Sequence, residues 1–206
     1  NVVSGEPLDP ADIDFVMAWK GRLWVIAGGS SRAYYTELNQ FVGDLTQFNF
    51  GNKFKYGGHL KGIYSWSLDG GDGMDDFFVA ISEGGDVIVY QGTDPSDAAT
   101  WQVVGKYFIG RMPRGRRIAT DFGGDLYLLS SIGLIPLSKM VAGAPSLSDI
   151  AVTYKVQPII NERMEQSIDD FGWEAGINPT GRTMLINAAK GGTANFSLQL
   201  VYNTTL

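Results

Sequence analysis

The stretch Phe77-Phe78-Val79-Ala80-Ile81, then Ser82-Glu83-Gly84-Gly85-Asp86, then Val87-Ile88-Val89-Tyr90 decides the fold class. Two short apolar runs rich in β-branched and aromatic residues flank a glycine turn, which is the pattern of a tight β-hairpin. Glycine is needed there because such turns require positive φ.

Working outward, the same unit recurs: apolar run, glycine turn, apolar run, loop, third run. Upstream it is Phe15-Val16-Met17-Ala18-Trp19, Lys20-Gly21-Arg22, Leu23-Trp24-Val25-Ile26-Ala27, then Arg32 to Thr36. Downstream it is Arg117 to Asp121, Gly123-Gly124-Asp125, Leu126-Tyr127-Leu128-Leu129, then a third run from Gly133 to Met140. A fourth copy runs from Gly172-Trp173-Glu174-Ala175 through Thr180-Gly181-Arg182 to Met184-Leu185-Ile186, then Phe196 to Tyr202. The turn glycines Gly21, Gly85, Gly124 and Gly181 lie 64, 39 and 57 residues apart, bracketing the ~40–50 residues of a propeller blade. Gly62 to Ser67 adds a fourth strand to the second unit.

The expected fold is all-β, with three to four β-propeller-like antiparallel blades forming part of a larger propeller; a generic antiparallel sandwich is the alternative. The blades are placed at 13–56, 60–110, 115–142 and 171–206, the last incomplete, within one domain spanning 1–206. A helical insertion is placed at 147–170, because Val156, Ile159, Ile160, Met164 and Ile168 follow helical spacing and Pro158 suits a first turn.

Composition removes several function classes. Among 206 residues, 44% are hydrophobic and 18% charged, which excludes a disordered chain. No apolar run approaches the ~20 residues that span a membrane. There is no cysteine and one histidine, His59, so disulfides, thiolate zinc sites and multi-histidine metal sites are excluded. His59 reads as a surface or structural side chain. There is no G-x-S-x-G elbow and no nucleotide-binding glycine loop, so neither catalysis nor a cofactor is expected. The net charge is −6, which argues against a general nucleic-acid coat.

Two segments depart from that average. Asp69-Gly70-Gly71-Asp72-Gly73-Met74-Asp75-Asp76 fits one copy of a glycine–aspartate calcium repeat, with Asp69, Asp72 and Asp75 as ligands. Such sites are built by stacked copies, so a single copy reads as a solvated hairpin loop and no metal is expected. Arg111-Met112-Pro113-Arg114-Gly115-Arg116-Arg117 puts four guanidinium groups in seven residues. Arg111, Arg114, Arg116 and Arg117 are the candidate contacts with DNA phosphate or with acids of a neighbouring subunit. Asp94 to Trp101 approximates the Asp-box turn of sialidase propellers, a structural corner, with Ala98 in place of its glycine.

Several of these segments resemble one family. They are Arg22-Leu23-Trp24 with Tyr34-Tyr35-Thr36-Glu37-Leu38, Trp66 to Gly73, Val87 to Pro95, Trp101-Gln102-Val103-Val104-Gly105, and Phe122 to Leu126 with Gly133 to Ser138. The texture resembles tail-hub or nozzle proteins of short-tailed bacteriophages, also called tail tubular or DNA-stabilisation proteins. The resemblance implies a structural virion subunit with a β-propeller, assembled with copies of itself into a six-fold ring below the portal. Portal or adaptor and other tail proteins would be its neighbours, and DNA would leave through its channel. Family members are much longer than 206 residues, so the chain is read as a piece of a longer protein. A carbohydrate- or protein-binding propeller is the competing expectation, and a propeller glycosidase a third.

Overall fold

The computed structural model describes residues 8–69, 74–143, 146–178, 180–190 and 198–203. The protein is mainly β, with four antiparallel sheets of three or four strands. Each sheet is a meander whose neighbouring strands are consecutive in sequence. Among the described residues no strand pairing joins one sheet to the next into a closed ring. The chain divides into two compact units, Asn1–Phe108 and Ile109–Leu206.

The first unit holds β1 (Ile13–Trp19), β2 (Arg22–Ala27), β3 (Arg32–Tyr35) and β4 (Thr46–Asn49) in one sheet. The second sheet is β5 (Leu60–Asp69), β6 (Met74–Ser82), β7 (Asp86–Gln91) and β8 (Gln102–Phe108). The β1–β2 turn has two residues, Lys20 and Gly21, with φ of 40° and 76°. Two positive φ values in succession define the turn whose twist matches the flanking strands. Gly85, at φ 96°, takes the left-handed position that ends the β6–β7 turn, and its N–H bonds Ser82 O at 3.1 Å.

Period-two alternation sends Trp24 and Ile26, Ala33 and Tyr35 to one side of the first sheet. They share a core with Ile63, Phe78, Ala80, Ile88 and Tyr90 of the second. Rings dominate it. Trp24 lies 4.7 Å from Phe78, Tyr90 stacks on Trp101 at 5.1 Å and 19°, and Phe50 stacks over Phe78 at 6.3 Å. Such pairs add about 0.5–1.5 kcal/mol each beyond the area they bury. On the opposite face of β6 and β7, Val79, Ile81, Val87 and Val89 are also buried, as their unbroken apolar runs require. Trp101 closes the corner of the Asp94–Trp101 loop, in which the Asp94 carboxylate accepts from the Ser96 amide and hydroxyl.

The second unit holds β9 (Ala119–Phe122), β10 (Asp125–Ser130) and β11 (Gly133–Pro136), then β12 (Glu174–Asn178), β13 (Thr183–Ala188) and β14 (Leu198–Asn203). Between the two sheets come α1 (Leu137–Val141), α2 (Leu147–Ile150) and α3 (Gln157–Ser167). Pro158 stands in the first turn of α3. Ile160 and Met164 enter a core with Leu129, Leu134, Trp173, Met184 and Ile186.

Four sequence expectations need correcting. The third run of the third unit does not continue as a strand to Met140. It ends at Pro136 and turns into α1, because the Asp125 carboxylate takes the Ser138 amide at 3.0 Å and its hydroxyl at 2.5 Å. The expected helix is present as α3, Gln157–Ser167, but the 147–170 insertion also holds the short α2, and α1 precedes it. Ile159 belongs to the expected apolar stripe but points outward, 44% exposed. In the fourth hairpin the positive φ falls on Arg182, at 48°, not on Gly181.

Candidate functional site

The arginine segment precedes β9. Arg111, Arg114, Arg116 and Arg117 are all exposed, while the intervening Met112, Pro113, Gly115 and Ile118 are buried. The backbone is fastened by six hydrogen bonds, the last at the adjoining Ile118. Arg111 O accepts from the Ser131 amide at 2.8 Å, and the Arg114 amide donates to Ile168 O at 2.9 Å. Arg114 O accepts from the amides of Gly172 and Trp173 at 3.1 and 3.2 Å. Arg117 O accepts from Ala175 at 2.7 Å and Ile118 O from Leu129 at 2.8 Å. Gly115 lies so close to the chain that a Cβ there would stand 1.8 Å from Trp173 O. Trp173 is in turn fixed by its indole N–H, which donates to Ser167 O at 2.8 Å.

The segment is thus a strap pinned across the unit. Its buried positions alternate with the arginines, so the guanidinium groups remain in solvent.

The four heads have different surroundings. Arg111 makes a two-pronged contact with Asp169, whose Oδ2 lies 3.2 Å from Nη1 and whose Oδ1 meets Nη2. Arg117 Nη1 reaches Glu174 Oε1 at 3.3 Å. Arg116 lies over the exposed ring of Phe171, 5.8 Å from its centroid. Among the described residues no carboxylate forms an ion pair with Arg114. For Arg111 and Arg117 an acid of the same chain is within reach. Exposed pairs of this kind contribute about 0–1 kcal/mol, so they orient the forks while leaving them exchangeable for another anion.

A different arginine is structural. Arg22 is buried and its Nη1 donates to Thr36 O at 2.9 Å. The guanidinium packs over Tyr35 and lies 3.4 Å from Asp94. The hydrogen bonds from Ser96, assisted by the Arg22 charge, hold the Asp94 carboxyl below the usual carboxylate range. Burial pushes the Tyr90 phenol well above its ordinary value, and raises the Asp121 carboxyl.

The remaining sequence candidates separate cleanly. Asp72 of the acidic segment and the side chains of Asp69 and Asp75 lie outside the described residues. His59 is exposed, and its backbone carbonyl accepts from the Glu83 amide at 2.8 Å. Among the described residues no three carboxylate or imidazole groups gather as a metal site would need. Nor is any described helix long and apolar enough to cross a membrane.

Sequence reasoning missed a basic cavity in the first unit, of about 350 Å³, lined by Lys53, Lys55 and Lys106. Lys53 and Lys55 carry a faint signal, two lysines flanking Phe54 and followed by Tyr56. Lys106 joins them only through the fold. Compared with known proteins, the chain matches no family profile and no curated protein.

Proposed function

We propose that this chain is a structural part of a bacteriophage tail hub or nozzle, with its four sheets serving as β-propeller blades and no catalytic role. In this reading copies assemble as a ring, a hexamer, below the portal, in contact with portal or adaptor and other tail proteins. DNA passes through the ring during ejection. The sequence texture described above is the source of the reading.

The observation that carries it is the strap at Arg111–Arg117. A backbone fastened by five hydrogen bonds, with a sixth at the adjoining Ile118, presents four arginine heads to solvent. A rigid row of forks suits transient, sequence-blind contact with a phosphate backbone or with acids of a neighbouring copy. Meander sheets with short local connections supply the stiff walls such a channel needs.

The test replaces Arg111, Arg114, Arg116 and Arg117 together with serine and measures binding to duplex DNA over a salt series. Each arginine that contacts phosphate contributes roughly 0.9 to the slope of log affinity against log salt. The slope should fall while the fold is kept, because exposed substitutions stay within about ±0.5 kcal/mol each. An unchanged slope, together with unchanged assembly of copies, would overturn the reading.

A second reading, a carbohydrate- or protein-binding propeller module, is favoured by one observation, the lysine-lined cavity of the first unit.

A further inference from the structure

We propose that the cavity at the open end of the first unit's core binds an anionic sugar residue. The proposal goes beyond the tail-hub reading and does not depend on it.

The cavity arises from strand register. Asp86 pairs with Phe108 and Ile88 with Lys106 across β7 and β8, so these four residues share one face of the ribbon. That face is the one whose Ile88 and Tyr90 enter the aromatic core. Toward Asp86 the core gives way to the 53–56 segment, whose Lys53, Lys55 and Tyr56 line the opposite wall. At about 350 Å³ the space is at the small end of ligand-sized pockets, which run from about 300 to 1,000 Å³.

Charge identifies the ligand as an anion. Three of the seven lysines and arginines preceding Ile109 line this one cavity, in a chain of net charge −6. Lys106 Nζ donates to Lys53 O at 3.3 Å, which fixes its stem and leaves two of its three N–H donors for a ligand.

One detail points to a ligand that carries hydroxyls as well as the anion. Asp86 is a buried carboxylate whose Oδ2 accepts from the Tyr56 amide at 2.8 Å and the Ser82 hydroxyl at 3.4 Å. The carboxylate lines the cavity and adds an acceptor to a basic pocket, one that can take a hydroxyl hydrogen. Phe108 lies 4.1 Å from the Tyr56 ring, the Lys55 ammonium sits 5.3 Å from that ring's centroid, and both rings are partly exposed beside the cavity. A concave pocket does not fit the convex backbone of a duplex. A sugar bearing a carboxylate or a phosphate combines the required anion with the required hydroxyls.

The test uses amide chemical shifts of the 206-residue chain, titrated with glucuronate, glucose 6-phosphate, glucose, inorganic phosphate and an oligothymidylate. The amides of residues 86–88 and 106–108 should move saturably with glucuronate or glucose 6-phosphate, at least about tenfold more tightly than with glucose. Whichever anionic sugar binds better assigns the anion as carboxylate or phosphate. The triple variant Lys53→Gln, Lys55→Gln, Lys106→Gln should lose that binding while its other amides stay in place. Equal response to glucose, equal response to inorganic phosphate, tighter binding of the oligothymidylate, or no movement of these amides would each overturn the proposal.

Discussion

Replacing Gly115 by alanine should be among the most damaging single-methyl insertions in the second unit. Its backbone φ is not in the left-handed region, so the penalty is purely one of space. The new Cβ would sit 1.8 Å from Trp173 O and 2.7 Å from Trp173 C. Carbon and oxygen tolerate approach to about 3.3 Å, so roughly 1.5 Å of separation must come from backbone movement. Overpacking of this kind costs about 1–3 kcal/mol. Moving Trp173 away also strains the two hydrogen bonds that the Gly172 and Trp173 amides donate to Arg114 O, each contributing about 0.5–1.5 kcal/mol. The total is about 2–6 kcal/mol. With a urea dependence of about 1–3 kcal/mol per molar, the unfolding midpoint followed by far-ultraviolet circular dichroism should fall by on the order of 1–2 M. Gly176→Ala is the matched control. It lies in β12 of the same unit, has an ordinary φ and would meet nothing within 4 Å. It should be neutral or stabilising by up to about 1 kcal/mol. If Gly115→Ala leaves the midpoint within about 0.3 M of the parent, or if the two variants behave alike, the strap is not seated as described.

Trp24→Ala should cost about 3–5 kcal/mol, read as a loss of cooperative unfolding in the first unit, because the indole contacts Tyr35, Phe48, Phe78 and Trp101 together; a loss below about 1 kcal/mol would contradict its central place. Asp94 has a folded pKa below its unfolded value, so its contribution is present above the unfolded pKa and is lost as pH falls through the folded one. Asp94→Asn should flatten the decline in melting temperature between about pH 5 and 3. Asp121, raised by burial, has the opposite sign: stability is greatest below its unfolded pKa and falls as pH rises through its folded pKa, and Asp121→Asn should remove that step. Parent and variant melting curves that keep the same pH slope would contradict either assignment.

The legible part of the sequence was the local part. Lys20-Gly21, Gly84-Gly85 and Gly123-Gly124 announce turns because few residues accept positive φ, and the flanking apolar runs give strand identity directly. β4 was missed because Thr46 to Asn49 is short and half polar, and its place is set by pairing with β3. Helix α1 was missed because Leu137 to Val141 is as apolar as a strand. The capping carboxylate of Asp125 lies 13 residues from Ser138, beyond any local pattern. The arginine cluster was visible, but its acidic partners Asp169 and Glu174 lie 58 and 57 residues away. The lysine cavity was illegible for the same reason, since Lys53 and Lys106 are 53 residues apart and meet only across the fold.

The distribution of indoles makes the two units optically distinct. Trp19, Trp24, Trp66 and Trp101 lie in the first unit and Trp173 alone lies in the second. Trp24 and Trp101 face each other at 6.0 Å and 19°, close enough for their excited states to couple and give a paired near-ultraviolet dichroism band. Trp173 has no such neighbour among the described residues and keeps its N–H on a backbone carbonyl, so it emits as a single buried chromophore. The coupled band and the isolated emission therefore report on separate halves of the same chain, and one unlabelled sample can show whether they melt together or in turn.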